Sequence, residues 1–412
     1  MTEAPSTILQ VIPELDAGGA EKTTVEVADA VVRAGGRAVI VTTHGRMIAD
    51  AEAVGADVVR RNVVTKNPAA WISNARFLKR LIIERSVSLI HARSRAPAWS
   101  AEWAARRSGI PFVTTYHGAY GERNSLKKAY NAVMARGEVV IANSDYTARL
   151  VRERYDLAND PRVVTINRGV DLTAFDPAQI TAERRAAMRA QFGLAPADVD
   201  RPIVLHPARL TRLNGQTTVI AAAAKLRNMC TAAMPLILFG GGADGREDYV
   251  RELHGLIAKH GLADDVRLIG MIRDMPAALA ESDLALLVST VPETFGRTSV
   301  EAQAMGVPVI VSDLGAPPDM VRSEPKVTND AITGWTVPAA DADALAGRIA
   351  EALALAPQTR AAIGRRAATF ARASFSIRRL QSDTLAVYDR LLGTDLAGFF
   401  ADRDRETPDD PL

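Results

Sequence analysis

The chain has 412 residues and a single cysteine, Cys230, which excludes an internal disulfide and both common zinc patterns and fits a reducing cytosol. Hydrophobic residues make up 48% and the formal net charge is only +2, so two apolar cores are expected and no metal site is suggested. Charge is nevertheless uneven: from Arg60 to Arg136, fifteen Lys and Arg residues face three Glu. Interleaved with Trp71, Phe77, Trp99, Trp103, Tyr120 and Tyr130, this block reads either as a solvated helical face or as a patch for an anionic membrane surface. No binding motif accompanies it, so nucleic acid is not an expected partner.

Residues 1–30 lack the basic start and apolar core of a secretory leader. Residues 7–12 read instead as a buried parallel strand, followed by a tight GlyGlyAlaGlu loop (18–21), a helix over 23–34 stopped by Gly35 and Gly36, and a strand over 37–43. The alternation continues with helix 71–85, strand 88–91, helix 97–108, strand 112–115, helix 125–136 and strand 139–142. A Pro/Ala/Arg-rich stretch over 172–202 carries the chain onward. The second series has strand 202–206, helix 215–228, strand 236–239, helix 246–260, strands 266–269 and 284–288, a helix over 299–305 and a strand over 309–311. Such alternation predicts an α/β protein with two doubly wound, Rossmann-like parallel sheets. The expected domains are 1–175 and 203–375, joined by a linker over 176–202. A long amphipathic helix follows over 376–395, and a disordered tail is expected over 396–412. No stretch approaches the roughly 18 apolar residues of a spanning helix, so a cytoplasmic protein, soluble or peripheral on the membrane, is expected.

The most informative local pattern lies in residues 291–310. Glu293 sits in a loop and Glu301 in the first turn of the helix expected over 299–305, with Phe295, Gly296, Arg297 and Thr298 between them. Carboxylates accept hydrogen bonds from vicinal sugar hydroxyls, while a helix N-terminus offers N–H groups to phosphates. The stretch resembles the donor-site signature of retaining family 4 glycosyltransferases, whose fold is GT-B. The resemblance extends in order through AspAlaGlyGlyAlaGluLys (16–22), HisGlyAlaTyr (117–120), AsnSerAspTyr (143–146), AsnArgGlyValAsp (167–171), AlaArgLeuThrArgLeuAsnGlyGln (208–216) and GlyTrpThrValPro (334–338).

The resemblance implies a retaining hexosyltransferase that takes a sugar from a UDP-, GDP- or ADP-linked donor to an envelope glycan or lipid-linked acceptor. It needs no cofactor and no metal held by an Asp-x-Asp pair. Its two domains are expected to form a cleft with the last helix crossing back to the first domain. Glu301 would hold the ribose, Glu293 and the loop of Phe295, Gly296, Arg297 and Thr298 the hexose and phosphates, and Arg209 the diphosphate. His117 would lie beside the reacting centre. Gly18 and Gly19 would let backbone N–H groups approach the donor, and Gly240, Met271 and Ile272 would line its site. Tyr120, Arg123 and Ser144 are acceptor-side candidates.

The chain departs from the family at Asn214, where a lysine usually supplies a second fixed charge to the diphosphate. Arg297 is the expected substitute, ahead of Arg212 and Lys22. The same departure motivates an alternative: a catalytically weak GT-B partner protein that binds a nucleotide sugar. A remote alternative is an NAD-dependent oxidoreductase, because GlyGlyGlyAlaAspGly (240–245) fits G-x-G-x-x-G; yet the following strand does not end on the acidic residue a ribose needs.

Overall fold

The computed structural model describes residues 6–16, 18–65, 67–118, 120, 124–227, 229, 234–243 and 245–406. The chain divides into two compact units, Met1–Gly169 with Ile377–Leu412, and Val170–Ser376.

The first unit is a seven-stranded parallel sheet of β1 (Thr7–Val11), β2 (Arg37–Thr42), β3 (Asp57–Arg60), β4 (Val87–Ala92), β5 (Phe112–Tyr116), β6 (Val139–Ala142) and β7 (Val163–Thr165), in the order β3-β2-β1-β4-β5-β6-β7. Strands β1, β5 and β6 are buried along their whole length, which is why they read as continuous apolar runs. Successive residues serve opposite faces: Ile8 joins the core packed against helices Gly19–Arg33 and Ile377–Leu392, and Leu9 the core beneath helices Pro68–Glu84 and Arg95–Ser108. Gln381 fixes the last helix by donating through Nε2 to the Glu26 carbonyl at 2.8 Å and to Asp29 Oδ2 at 3.0 Å.

The second unit has β8 (Ile203–His206), β9 (Leu236–Gly240), β10 (Val266–Gly270), β11 (Leu284–Leu287), β12 (Val309–Ser312) and β13 (Gly334–Val337), ordered β10-β9-β8-β11-β12-β13, all pairings parallel. Val204 and Leu205 likewise point into separate cores on the two faces. In both sheets the strand order reverses beside the first strand, at β1/β4 and at β8/β11. The carboxyl ends of strands at such a switch point are where open α/β sheets bind ligands.

Several expectations are corrected. Residues 176–202 are not a bare linker: helix Ala182–Phe192 buries Met188 and Phe192 in the second unit's core. Residues 396–406 are not disordered, since helix Leu396–Glu406 buries Leu396 and Phe400 in the first unit; residues 407–412 lie outside the described residues. The expected helix 125–136 ends as an α-helix at Asn131 and tightens into a 3₁₀ turn over Ala132–Ala135. The helix carrying Glu301 spans Arg297–Ala304, with Gly296 as N-cap at φ +99°, so Glu301 is its fifth residue and stands beyond the first turn.

Candidate functional site

In the second unit, β8 runs into a turn that ends at Gly215, the N-cap of helix Gln216–Leu226, with φ +79°. A Cβ at Gly215 would come within 2.0 Å of the Val288 carbonyl oxygen, so only glycine lets this turn lie against the end of β11. Arg209 is exposed at the start of the turn, and its guanidinium is free of ion pairs and hydrogen bonds among the described residues. Its carbonyl accepts from Asn214 Nδ2 at 2.8 Å and Gln216 Nε2 at 3.0 Å, which lock the turn. Arg209, Asn214 and Glu293 line one cleft of about 800 Å³, together with Arg212, Arg246 and Tyr249. Arg212 is committed to Glu252 and lies over the Tyr249 ring, which weakens it as a spare cation.

Glu293 accepts from the Ser289 hydroxyl, so one carboxylate oxygen is oriented from the end of β11. Arg297 Nε donates to Glu301 Oε1 at 2.6 Å. The opening N–H groups of this helix belong to Arg297 and Thr298, which helix geometry leaves without intrahelical acceptors. Phe295 is buried and packs edge-on against Phe375 at 6.2 Å, so its side chain belongs to the core. Gly240 closes β9 against Ile272, whose Cδ1 would sit 2.1 Å from a Cβ there, while Met271 is 60% exposed. Neither these three residues nor Arg297, Thr298 and Glu301 line the cleft that holds Arg209 and Glu293.

In the first unit, the turn after β1 delivers Gly18 and Gly19 to the start of helix Gly19–Arg33, where Lys22 is exposed. A Cβ on Gly19 would come within 2.5 Å of Arg168 Nη1, so the guanidinium lies directly on this glycine. His117 follows β5; its ring nitrogens are shielded from solvent and lack partners among the described residues. Burial first, then the charges of Arg93 and Arg168, hold its pKa well below 6.5, so the ring is neutral at physiological pH. Asn143, after β6, donates through Nδ2 to the His117 carbonyl at 3.1 Å.

Residues 17–174 match the family model described as Glycosyltransferase Family 4, and residues 189–370 the model described as Glycosyl transferases group 1. A glycosyltransferase of known crystal structure from Rickettsia africae is 30% identical, with a TM-score of 0.81 across 95% of this chain and 100% of that one. The chain belongs to the family 4 glycosyltransferases. Its two parallel-sheet units are those of the GT-B fold, as also in Anabaena Alr3699/HepE, crystallised with UDP, which is 22% identical with a TM-score of 0.74 over 94% of this chain and 100% of its own. A D-inositol 3-phosphate glycosyltransferase of Jonesia denitrificans is 31% identical over 52% of this chain and 53% of the relative, so the chain spans about half the length of that curated relative.

Within this family 4 chain some acceptor-side candidates have structural duties. Ser144 is fully buried and caps helix Asp145–Arg154, accepting from the Thr147 N–H at 3.2 Å. Tyr120 is clamped between the Arg95 guanidinium, 4.0 Å from its ring centroid, and Tyr116 at 4.5 Å. Burial pushes its hydroxyl up to about 12, so it stays protonated. Arg123 lies outside the described residues. The sequence reading missed Arg93 and Arg168, which meet His117 and Asn143 around one small cavity. Arg168 was visible within AsnArgGlyValAsp; Arg93 was hidden in the basic block, where nothing distinguishes a buried arginine from a solvated one. The glycine-rich loop 240–245 follows β9, one strand away from the β8/β11 switch point. Gly240 and Gly241 serve close packing, since a Cβ on Gly241 would come within 2.0 Å of the Ala208 carbonyl oxygen, whereas nothing lies within 4 Å of a Cβ on Gly245, which lines the Arg209 cleft.

Proposed function

We propose that this protein transfers a hexose from a nucleoside diphosphate sugar with retention of anomeric configuration and without a metal. The observation that carries the reading is the guanidinium of Arg209, without an ion pair or hydrogen bond among the described residues, in a cleft shared with Glu293 at the switch point of the second sheet. The cleft's volume of about 800 Å³ suits a ligand of this size. Breaking a glycosyl phosphate bond builds negative charge on the leaving diphosphate. We assign to that charge Arg209, in the cleft, and the Arg297 side chain with the N–H groups beside it, at the start of the helix that follows Glu293. Glu301 takes the ribose hydroxyls, Glu293 the hexose, and His117 a hydroxyl near the reacting carbon. Gly18 and Gly19 offer backbone N–H groups at the first helix of the acceptor-side unit.

Binding of UDP, described for the Anabaena neighbour, makes a uridine donor the first to try. Calorimetry with UDP, GDP and ADP, followed by turnover of the matching sugar donors, tests the proposal. Undiminished turnover in chelator tests metal independence, and the anomeric configuration of the product tests retention. Binding of all three nucleotides no tighter than of AMP would sink it. Asn214 favours a second reading, a weakly catalytic donor-binding partner, and measurable wild-type turnover removes it.

The acceptor is proposed to be an envelope glycan or lipid-linked sugar, met at an anionic membrane surface. Among the described residues no helix is long and apolar enough to cross a membrane. The interleaved aromatics are largely turned on one another: Trp71 stacks on Trp99 at 5.7 Å, and Arg107 and Arg136 lie over Trp103 and Trp99. Exposed apolar residues amid charge are instead Ile83, 70% exposed between Arg80 and Arg85, and Leu126, 80% exposed and followed by Lys127 and Lys128. Sedimentation with vesicles should rise with anionic lipid and fall with salt, and Leu126→Ser should weaken it; indifference to lipid charge would retire the idea.

A further inference from the structure

Beneath His117 lies a set of polar groups with more hydrogen-bonding capacity than partners. Arg93 follows β4 and is only 2% exposed. Its Nε donates to Thr24 Oγ1 at 3.1 Å and its Nη1 to Thr115 Oγ1 at 3.2 Å, but Nη2 has no partner among the described residues. The same holds for Asn143 Oδ1 and for both ring nitrogens of His117. These three side chains line one cavity of about 10 Å³. That volume admits one water and is too small for a phosphate or a sugar.

The chemistry of the lining selects the occupant. Arg93 can only donate, Asn143 Oδ1 can only accept, and a neutral imidazole offers one acceptor nitrogen and one N–H. An anion would leave Asn143 Oδ1 unsatisfied, and a cation would meet the charges of Arg93 and Arg168. A water accepts from Arg93 and donates to Asn143 and to the imidazole. We propose that the cavity holds one ordered water through which Arg93 fixes the tautomer of His117, making Arg93 a positioning residue. The cavity-facing ring nitrogen is then the acceptor, and the other carries the proton; shielded from solvent in this structure, it is the N–H that a sugar hydroxyl would meet once donor binding opens a path to it. That last step rests on the glycosyltransferase reading; the water and the tautomer do not. Arg93 is itself held by a buried chain in which Thr115 Oγ1 meets His91 Nε2 at 2.7 Å and His91 Nδ1 meets the Tyr388 hydroxyl at 2.7 Å.

The test uses the full chain with ¹⁵N-labelled histidine, as wild type, Arg93→Met and Arg93→Lys, together with a high-resolution crystal structure of the wild type. The charged groups acting on His117 are Arg93 and Arg168; His91, on which His117 also acts, is itself neutral. Expected for wild type are one neutral His117 tautomer and a water within hydrogen-bond distance of Arg93, Asn143 and His117. Arg93→Met should give a mixture of tautomers, a His117 that titrates at higher pH because a neighbouring cation is gone, and kcat about tenfold lower with donor KM little changed. Arg93→Lys, which keeps the charge and a donor, should restore the single tautomer. A mixed tautomer in wild type, an empty cavity, or ring signals unmoved in a folded Arg93→Met overturns the proposal. Absence of sugar transfer alongside the water and the single tautomer would instead overturn the glycosyltransferase role of His117.

Discussion

Arg297 and Glu301 form an ion pair within one helix, Nε to Oε1 at 2.6 Å, with the arginine side chain 53% exposed and the carboxylate 9%. The two groups assigned to the diphosphate and to the ribose are thus in direct contact. An i,i+4 pair with one exposed partner is worth only about 0.3–0.5 kcal/mol, less than a charge-assisted bond to a ligand, so donor binding can separate them. The exposed arginine is the partner able to swing. Arg297→Met is expected to lower kcat by about 100-fold with a smaller change in donor KM, because its charge matters most as the diphosphate departs. Glu301→Ala should weaken nucleotide binding by about 10-fold or more in calorimetry. Equal loss of binding and unchanged kcat in both variants would contradict this division of roles.

Asn214 holds the Arg209 turn with its amide and supplies no charge to the cleft. Asn214→Ala should therefore cost about 1 kcal/mol in urea unfolding and loosen nucleotide binding as Arg209 loses its fixed backbone. Asn214→Lys trades that bond for a cation. If charge on the leaving diphosphate limits turnover, kcat of this variant rises by roughly 10-fold; a fall would mean the turn matters more than the charge.

Why some of this was legible in the sequence and some was not follows from the residues. Strands such as β1 and β6 are buried on both faces, so their apolar runs stand out against flanking polar segments. Helix Ala182–Phe192 was lost because its polar composition, AERRAAMRAQF, presents only Met188 and Phe192 to the core, too few to set a period. Arg297 and Glu301 stand out through the resemblance to the donor-site signature. Their mutual ion pair depends on where the helix begins, and Gly296 at φ +99° starts it two residues before the expected boundary. Arg93 could not be found from spacing at all: its burial is decided by β1, β4 and β5 meeting, which is a property of sheet order.

Gly215 offers a test of the second unit's architecture that is independent of any ligand. Its φ is +79°, and an added Cβ would meet the Val288 carbonyl oxygen at 2.0 Å, a backbone atom that cannot swing away. Gly215→Ala should lose on the order of 3 kcal/mol or more of stability, measured by urea unfolding, through strain and steric clash together. Gly109→Ala provides the comparison: its φ is also positive at +68°, but nothing lies within 4 Å of the new Cβ, so only the conformational cost of about 1 kcal/mol is expected. Similar losses in the two variants would mean that the turn yields more readily than its packing implies.

The buried histidines of the first unit make its stability depend on pH. His91 is held well below its usual 6.5 by burial, with Arg93 and then His117 adding to the effect, and His117 is lowered by burial, Arg93 and Arg168. Each is neutral when folded and takes up a proton near pH 6.5 when unfolded. The unfolded chain therefore binds more protons below that pH, and the stability these groups contribute is present above it and lost as pH falls toward their folded values. Each such histidine adds a slope of about 1.4 kcal/mol per pH unit in this window. His91→Gln, whose amide can still reach Thr115, should flatten the pH dependence of urea unfolding by about that amount between pH 6.5 and the onset of acid unfolding. Glutamine does not titrate there, so an undiminished slope would mean that His91 ionises in the folded chain, in conflict with its burial between Tyr388 and Thr115.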